Sequence, residues 1–228
     1  MISHLIATRK RAAQLERLLD SIEMTFSKTT QIEFLFHLLI GDEASFKVLN
    51  KLEGKYKYDY LWNSDEFSLV QLYNQLASKA KGDILAYIND DMVFRTPDWD
   101  LEVQKLFLQD KKALVAYGPD GHWNGEIATW AFIKRDWLNI FGWLAPPQYK
   151  HFYFDTWITD VSNASHTSAY SPLLLIEHVH YHYKKAEFDE TYSKDAGLFF
   201  GESKLYRSVW EKGKRERAIE SLKKRGDT

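Results

Sequence analysis

Two adjacent carboxylates, Asp90 and Asp91, follow the short apolar segment 84–88, with Asn89 in front of them. Carboxylates this close repel each other unless a cation or solvent lies between them. Hard divalent cations such as Mn²⁺ and Mg²⁺ prefer oxygen ligands, and a bound cation can bridge to the oxygens of a diphosphate. Asn and Asp are also common in ordinary turns, so the pair taken alone leaves metal binding and a plain turn open.

Charged side chains also follow two earlier apolar segments. Residues 2–7 end at Thr8-Arg9-Lys10-Arg11, and residues 32–40 end near Asp42 and Glu43. Ligands of open α/β sheets bind at the carboxyl ends of the strands, so these cations and carboxylates are expected to meet there. Arg and Lys beside a metal site neutralise the remaining charge of a diphosphate. Together these segment ends favour metal and diphosphate binding over a plain turn.

Three histidines alternate near the end of the apolar segment 173–180 and just beyond it, at His178, His180 and His182. On an extended strand, alternate residues lie on one face. With Asp189 they support a different hypothesis, a hydrolase with a catalytic zinc ion. That hypothesis leaves the Asp90-Asp91 pair unexplained. Metal identity separates the two, because His-rich sites prefer zinc and oxygen-rich sites prefer Mn²⁺ or Mg²⁺.

The elements that must position these residues alternate in type. Helical stripes at residues 12–22 and 69–80 separate the strand segments 2–7, 32–40 and 84–88. This order predicts an α/β domain with one doubly wound, mostly parallel sheet flanked by helices. Further strands are predicted at 58–62, 113–117, 128–133 and 173–180. A helix is predicted to open at Pro97, and another is predicted from Asp136 to Gly142.

Composition excludes several classes of protein. The chain has 228 residues, enough for one sizeable core, and its net charge of −2 argues against a nucleic-acid partner. It has no cysteine, which excludes disulfide scaffolds, thiolate zinc sites and cysteine nucleophiles. No segment reaches the roughly 20 apolar residues of a membrane span, and the first apolar run is too short for a signal peptide. We therefore expect a cytoplasmic protein.

Two features keep alternatives open. Residues 201–228 are rich in Lys, Arg and Glu, which predicts a charged helical extension with a solvated face; peripheral membrane or partner contact is the alternative. Aromatic residues make up 15% of the chain, more than a core of this size needs. The candidates for stacking on a sugar are Trp123, Trp130 and Trp157, and packing under a loop is the alternative for each. A carbohydrate-binding domain without catalysis would use the same rings.

The stretch from Asn74 to Val93, followed by Pro97-Asp98-Trp99, resembles the nucleotide-sugar-binding half of GT-A fold glycosyltransferases, most closely the inverting family 2. In that family a hydrophobic strand leads into a metal-binding Asp-x-Asp motif, with Asn89 here at the first position and Asp91 at the second. The resemblance covers about residues 1–145. It implies a GT-A, Rossmann-like domain over residues 1–200, with a donor half (1–117), an acceptor half (118–200) and the extension 201–228.

The resemblance also implies residue roles. Asp91 would be the main carboxylate on Mn²⁺ or Mg²⁺, and His180 would complete the metal site. Residues expected to contact the nucleotide sugar are Thr8, Arg9, Arg11, Asp42, Asn74, Asn89 and Asp90. The expected partners are a nucleotide-sugar donor, with UDP as the expected nucleotide, and a carbohydrate or other hydroxyl acceptor. Oligomeric state stays open.

An inverting transfer needs a general base to take the proton of the acceptor hydroxyl. In the family the base lies in an acidic motif after a segment like that around Gly142. Asp155 fits this position best and Asp160 is the second candidate. The alternative role for Asp155 is to cap the start of a helix.

Overall fold

The computed structural model describes residues 1–225, with the backbone alone at residues 195 and 225. Its main sheet has seven strands: β1 Ile2–Thr8, β2 Ile32–Leu39, β3 Lys57–Asn63, β4 Ile84–Tyr87, β6 Val115–Tyr117, β7 Ala131–Lys134 and β8 Ser168–Tyr170. Between β4 and β6 in the chain lies β5, Met92–Phe94, which pairs with β9, Ile176–His178, in a separate antiparallel ribbon.

The strand order of the main sheet is β3-β2-β1-β4-β7-β6-β8. Strands β1 to β4 run parallel to one another, and β7 alone among the seven runs antiparallel to its two neighbours. The predicted mostly parallel α/β sheet is confirmed. The strand order reverses between β1 and β4, and the crevice beside such a switch point is the usual ligand site of this kind of sheet.

Helices cover the sheet. They are α1 Ala12–Thr25, α2 Glu43–Val48, α3 Leu69–Lys79, α4 Trp99–Gln109, α5 Asp136–Phe141, α6 Phe154–Ala164, α7 Glu190–Asp195, α8 Phe199–Arg207 and α9 Val209–Arg225. Helix α3 begins with a complete capping box, in which Ser68 and Gln71 satisfy each other's backbone N–H groups. Helix α5 ends as predicted at Gly142, which adopts the left-handed conformation that glycine tolerates best.

The core lies on both faces of the central strands. Every residue of β1 except Ala7 is buried, as is every residue of β2 except Leu39, which is why these segments are apolar without alternation. The largest fully buried side chains include four tryptophans: Trp99, Trp130, Trp137 and Trp157. Half of the eight tryptophans are therefore used for packing.

Several elements differ from the predictions. Of the strand predicted at 173–180, only β9 is formed, and residues 181–183 beyond it form a short 3-10 helix. The strand predicted at 128–133 is shifted to β7, and α4 begins at Trp99 rather than at Pro97. Strands β5 and β8 were not predicted, because each has only three residues. Helix α6 was considered only as the helix that Asp155 could cap, although its buried apolar side chains recur at helical spacing.

The charged segment 201–228 is helical as predicted, but it is divided between α8 and α9, which a break at Ser208 separates. Residues 226–228 of that segment lie outside the described residues. Within residues 1–225, none of the helices combines the length and apolar character needed to cross a membrane.

Candidate functional site

The ends of β1 and β4 meet at the switch point. Their register pairs Leu5 with Tyr87, and three residues further on it brings Thr8 opposite Asp90. The Thr8 hydroxyl accordingly donates to Asp90 Oδ2 over 2.8 Å. Asn89 is held from the other side, because the Tyr73 hydroxyl on α3 donates to its Oδ1 over 2.7 Å. The turn after β4 is thus fixed by both neighbouring elements.

Asp91 lies in a group that could hold a metal ion. The β5-β9 ribbon pairs Met92 with His178, which brings that ring beside Asp91, with His178 Nε2 3.2 Å from Asp91 Oδ1. One ligand atom each of Asp91, His178 and His180 lie within 4.8 Å of one another. Asp91 Oδ1 and His178 Nδ1 are buried and lack a hydrogen-bond partner among the described residues. One carboxylate and two imidazoles grouped in this way offer ligand atoms to a divalent cation.

The electrostatics of these side chains agree with a site for cations. Burial alone would raise the pKa of Asp91, but His178, Arg11 and the Tyr192 hydroxyl outweigh it and hold that pKa below its ordinary value. For Asp90, burial prevails over Arg11 and raises the pKa. Burial opposes a charge on His178, yet Asp91 outweighs it and raises the pKa of that imidazole. A metal ion bound here would therefore displace a proton from His178.

Arg11 is the most deeply placed cation of the site. Its side chain is 5% exposed and its Nη1 lies 3.1 Å from Asp90 Oδ1 and 3.5 Å from Asp91 Oδ2. On its other side Nε and Nη2 donate to the two oxygens of Asp189 over 2.8 and 2.9 Å. Its guanidinium stacks on the Tyr192 ring at 3.9 Å. The Tyr192 hydroxyl in turn donates to Asp91 Oδ2 over 2.8 Å.

The segment around Asp189 also contacts Arg9 and Lys10, the other two cations that follow β1. We name Asp189 together with α7 the acidic segment. Glu190 accepts from Arg9 over 3.0 Å and from Lys10 over 3.1 Å. Arg9 also forms a two-pronged pair with Asp65, both bonds 2.8 Å long. Carboxylates of the acidic segment therefore form ion pairs with Arg9 and Arg11, the cations that are predicted to contact a diphosphate.

Asp155 lies in the first turn of α6 and lines the same cleft. Burial raises the pKa of Asp155, although the backbone N–H and hydroxyl of Thr156 both donate to its Oδ1. Tyr153, just before the helix, has a φ of 65°, a strained conformation for a residue with a side chain. Its ring stacks on Tyr206 of α8, with ring centroids 5.1 Å apart.

A second residue of α8 also supports this turn. The buried carboxylate of Glu202 accepts from the backbone N–H groups of three consecutive residues, Lys150, His151 and Phe152, and the bond to Phe152 is 2.6 Å long. Helix α8 therefore fixes the loop that presents Asp155.

The cleft that joins these parts has a volume of about 790 Å³. Of the predicted site residues, those that line it are Thr8, Arg9, Arg11, Asn89, Asp90, Asp91, Trp123, Asp155 and His180. The Trp123 indole donates to the Tyr183 hydroxyl over 3.0 Å, which fixes the plane of its ring at the cleft wall.

Two predicted donor-binding residues lie beneath the cleft. Asp42 caps α2 by accepting from the Ser45 N–H, and its other oxygen accepts from the Lys10 N–H over 2.6 Å. Asp42 thereby fixes the turn that presents Arg9 and Arg11. Asn74 accepts from the N–H groups of Leu144 and Ala145 and donates to the Ala145 carbonyl. Its whole amide is used to hold that loop.

Three further predicted residues also lie away from the cleft. Asp160 is exposed on α6 and accepts a hydrogen bond from the Tyr206 hydroxyl. Trp130 and Trp157 are buried, the latter against Trp137 and Trp143, so neither offers a ring face to a ligand. Of the three tryptophans considered for stacking, the structure brings Trp123 alone to the cleft.

The zinc-hydrolase ligand set does not assemble among the described residues. His182 is exposed in the 3-10 helix, and its backbone N–H donates to His180 Nδ1. Asp189 pairs with Arg11 instead of with the histidines. The alternation of histidines predicted that His178, His180 and His182 would lie on one face of a strand. The strand ends at His178, so this prediction of their geometry was wrong.

Three important residues were missed by sequence reasoning: His178 as a companion of Asp91, Tyr192, and Glu202. His178 had a signal, since it stands in the same row as His180. Tyr192 and Glu202 lie 101 and 52 residues in the chain from their respective partners Asp91 and Lys150. No local pattern marks such contacts.

A scan against protein-family models finds no match, and a comparison with curated protein sequences finds none either. Solved structures do match. The mannosyltransferase PcManGT from Pyrobaculum calidifontis, in complex with GDP-Man and Mn²⁺, superimposes with a TM-score of 0.65 and 13% identity, covering 97% of this chain and 72% of that one. S. aureus TarS 1–349 in complex with UDP gives 0.64 and 11%, covering 97% and 79%.

The same TarS fragment in complex with UDP-GlcNAc gives a TM-score of 0.60 at 10% identity, covering 96% of this chain and 70% of that one. The superpositions show a shared fold, and identities this low show the fold alone. The expected GT-A fold is confirmed.

Proposed function

We propose that this chain is a metal-dependent glycosyltransferase that moves a sugar from a nucleotide-sugar donor to a hydroxyl acceptor. One observation carries the proposal: a single cleft at the switch point is lined by Asp91, His178 and His180, by Arg9 and Arg11, and by Asp155. It thus contains ligand atoms for a cation, hydrogen-bond donors for a diphosphate and a partly buried carboxyl group. The solved structures of the same fold support it, since they bind GDP-Man with Mn²⁺, UDP or UDP-GlcNAc.

In this proposal Asp91, His178 and His180 hold the divalent cation, which when bound supplies a Lewis acid for the departing diphosphate. Two imidazole donors fit Mg²⁺ poorly, since Mg²⁺ takes oxygen ligands almost alone, and Mn²⁺ is proposed because a solved structure of the same fold binds it. Asp90, engaged by Thr8 and Arg11, keeps Arg11 at the mouth of β1. Arg9 and Arg11 then donate to the phosphate oxygens, where the planar guanidinium gives paired bonds.

The acidic segment must give way in this scheme. Asp189 and Glu190 hold the cations that the diphosphate needs, so donor binding exchanges these carboxylates for phosphate oxygens. Since Tyr192 also bonds Asp91, its hydroxyl leaves the metal group in the same movement. The acidic segment therefore acts as a cover over the donor site.

Asp155 is the proposed base. Its carboxylate takes the proton of the acceptor hydroxyl while that oxygen attacks the anomeric carbon from the side opposite the leaving diphosphate, which inverts the configuration. Burial raises its pKa and so makes the carboxylate a stronger base than an exposed aspartate. Trp123 is proposed to offer its ring to a bound sugar. UDP as the nucleotide and a cytoplasmic location stay predictions from the sequence.

The decisive experiment is a thermal melt with UDP, GDP and their sugars, with and without MnCl₂. We expect at least one nucleotide to raise the melting temperature only when Mn²⁺ is present. The matching nucleotide sugar should then release its nucleoside diphosphate when acceptors are screened. Stabilisation by free glycans with no response to any nucleotide would instead identify a carbohydrate-binding domain without transferase activity.

A further inference from the structure

Helices α8 and α9 carry an unusual outer surface. The large apolar side chains Phe200 and Val209 are 81% and 88% exposed, and Trp210 is 55% exposed. Scattered exposed hydrophobic residues need no explanation, but these lie within eleven consecutive residues of the chain. The proposed transfer reaction assigns them no role.

The exposed residues repeat one pattern. In α8, Phe200 is followed four and seven residues later by Lys204 and Arg207, and a helix places such residues on one face. In α9, Trp210 is followed at the same spacings by Lys214 and Arg217. Each helix therefore presents one aromatic ring with two cations along the same stripe.

Contacts on the other side of α8 confirm which way its stripe points. Phe199, Glu202 and Tyr206 face the body of the protein, where the two rings pack on Tyr153. The stripe of Phe200 lies roughly half a turn away from these residues, toward solvent.

In α9 the side chains buried against the body are Glu211, Ala218 and Leu222, and the stripe of Trp210 lies beside this face. Lys214 stands over the Trp210 ring at 3.8 Å, so ring and cation share one surface.

Neither stripe contains an acidic residue. Glu202 is the one acidic residue of α8 and Glu211 is the first of α9, and both are buried. Both are engaged by groups of the body, Glu202 by backbone N–H groups and Glu211 by the Gln148 amide over 3.0 Å. Glu216 and Glu220 of α9 are exposed, but both lie to one side of its stripe. The two stripes therefore carry cations and no carboxylate, on a chain whose net charge is −2.

We infer that the stripes of Phe200, Lys204 and Arg207 and of Trp210, Lys214 and Arg217 dock this protein on an anionic lipid membrane. Aromatic rings enter the interface between headgroups and acyl chains, while Lys and Arg pair with the anionic headgroups. Apolar side chains with this much exposure suit a deformable lipid surface. Phe199 and Phe200 also line the cleft, so docking brings one end of the cleft to the membrane surface.

The test is flotation of the full chain with vesicles of phosphatidylcholine alone, and with about 30% phosphatidylglycerol added. We expect binding to the anionic vesicles and weak or no binding to the neutral ones. The double variants Phe200→Ser with Trp210→Ser, and Lys204→Glu with Arg207→Glu, should each lower the partition coefficient by at least about tenfold.

Matched controls lie elsewhere on the surface. Met24→Ser removes an apolar side chain that is 85% exposed on α1, and Lys111→Glu with Lys112→Glu reverses two exposed charges. Both controls should bind vesicles like the parent chain, and all variants should melt like it.

Failure to float with anionic vesicles overturns the inference, as does an equal loss of binding in the controls. A chain that ignores vesicles and instead forms dimers through these residues in light scattering would make the face a protein interface and also overturn it. Because lipid binding is measured without nucleotide or acceptor, its outcome is independent of the proposed transferase activity.

Discussion

The two ends of the cleft are held together by different kinds of contact. At the donor end, the carboxyl ends of β1 and β4 are neighbours in one parallel sheet. The pairing of these two strands brings Thr8 to Asp90. At the acceptor end, Asp155 stands on a strained turn that depends on Glu202 and Tyr206, about fifty residues later. The strand ends of the donor site are therefore part of the sheet itself, whereas the turn before Asp155 is held by contacts from α8.

This difference separates what substitutions should do. A change at the donor end removes a chemical group from a frame that stays in place. A change at the acceptor end can remove the frame. Matched variants at each end of the cleft test that contrast.

The largest effect is expected from Asp91→Asn. The amide keeps the shape of the side chain and can still accept from Tyr192, but it loses the charge that attracts a cation between His178 and His180. We expect Mn²⁺-dependent turnover to fall by at least about 10³-fold. The fold should be retained at a lower melting temperature, because the buried charges of Arg11 and His178 lose part of their compensation. Steady-state assays over a Mn²⁺ titration measure the first quantity and thermal melts the second.

Asp160→Asn is the matched control for this variant, since Asp160 is exposed and bonded to Tyr206 outside the cleft. It should retain the parent activity. If Asp91→Asn were as active as this control, the cation would have to be held elsewhere and the donor end would lose its assigned role.

A smaller but diagnostic loss is expected from Asp155→Asn. As the base, Asp155 must be deprotonated, and burial raises its pKa above the ordinary carboxyl value. The rate of the parent enzyme should therefore fall as the pH is lowered through that raised pKa, earlier than an exposed carboxylate would require. The variant should lose about 10²- to 10³-fold in kcat at neutral pH.

The pH profile of kcat distinguishes this role from a structural one. Nucleotide affinity in Asp155→Asn should match that of the parent chain. At saturating Mn²⁺, which suppresses the protonation of His178, the acid limb of its residual activity should shrink or disappear. An unchanged acid limb in the variant would assign the base to another group.

The contrast between the two ends also decides what the sequence could foretell. Asp90, Asp91 and Arg11 follow apolar segments directly, so strand ends and the switch-point rule were enough to bring them together. Asp155 could be placed only through a family resemblance. Nothing local links Glu202 to the loop it holds, because a helix face that buries a carboxylate looks the same in sequence as a solvated one.

Tyr192 and Asn74 illustrate the same limit in opposite directions. Tyr192 reaches Asp91 because the acidic segment folds back across the cleft, which no periodicity encodes. Asn74 matched a family position, yet its amide holds the loop at Leu144 and Ala145, since the fold needs partners for those backbone groups. Residue type and spacing locate polar groups, but the competition for hydrogen bonds decides their use.

The acceptor frame itself is tested by Glu202→Ala. The substitution leaves three partly buried backbone N–H groups without their acceptor, at a cost of about 2 kcal/mol of unfolding free energy. We expect a lower midpoint in urea and a loss of transfer rate, with Mn²⁺-dependent nucleotide binding retained. Gln at the same position should recover part of both, because its amide oxygen still accepts.

Glu220→Ala serves as the control, since that carboxylate is exposed on α9. If Glu202→Ala lost nucleotide binding together with transfer, the two ends of the cleft would fold as one unit. The donor end would then not be held independently of α8.

The smallest effect, and the one of opposite sign, is expected from Glu190→Gln. Glu190 pairs with Arg9 and Lys10, the cations proposed to receive the diphosphate, but it does not cap α7, whose N-cap residue is Asp189. Removing its charge weakens the cover over the donor site without unfolding the helix. Because the carboxylate is exposed and its ion pairs are screened by solvent, nucleotide affinity should rise only about twofold to fivefold.

Calorimetric titration of UDP or GDP in the presence of Mn²⁺ measures this gain, with Glu187→Gln as the control from the same exposed stretch. Added salt should shrink the difference, since it weakens the surface pairs of the parent chain more than those of the variant. A decrease in affinity would mean that Glu190 stays in place and helps to orient Arg9 and Lys10 around the bound nucleotide. The acidic segment would then be a wall of the donor site, and it would not be exchanged for phosphate.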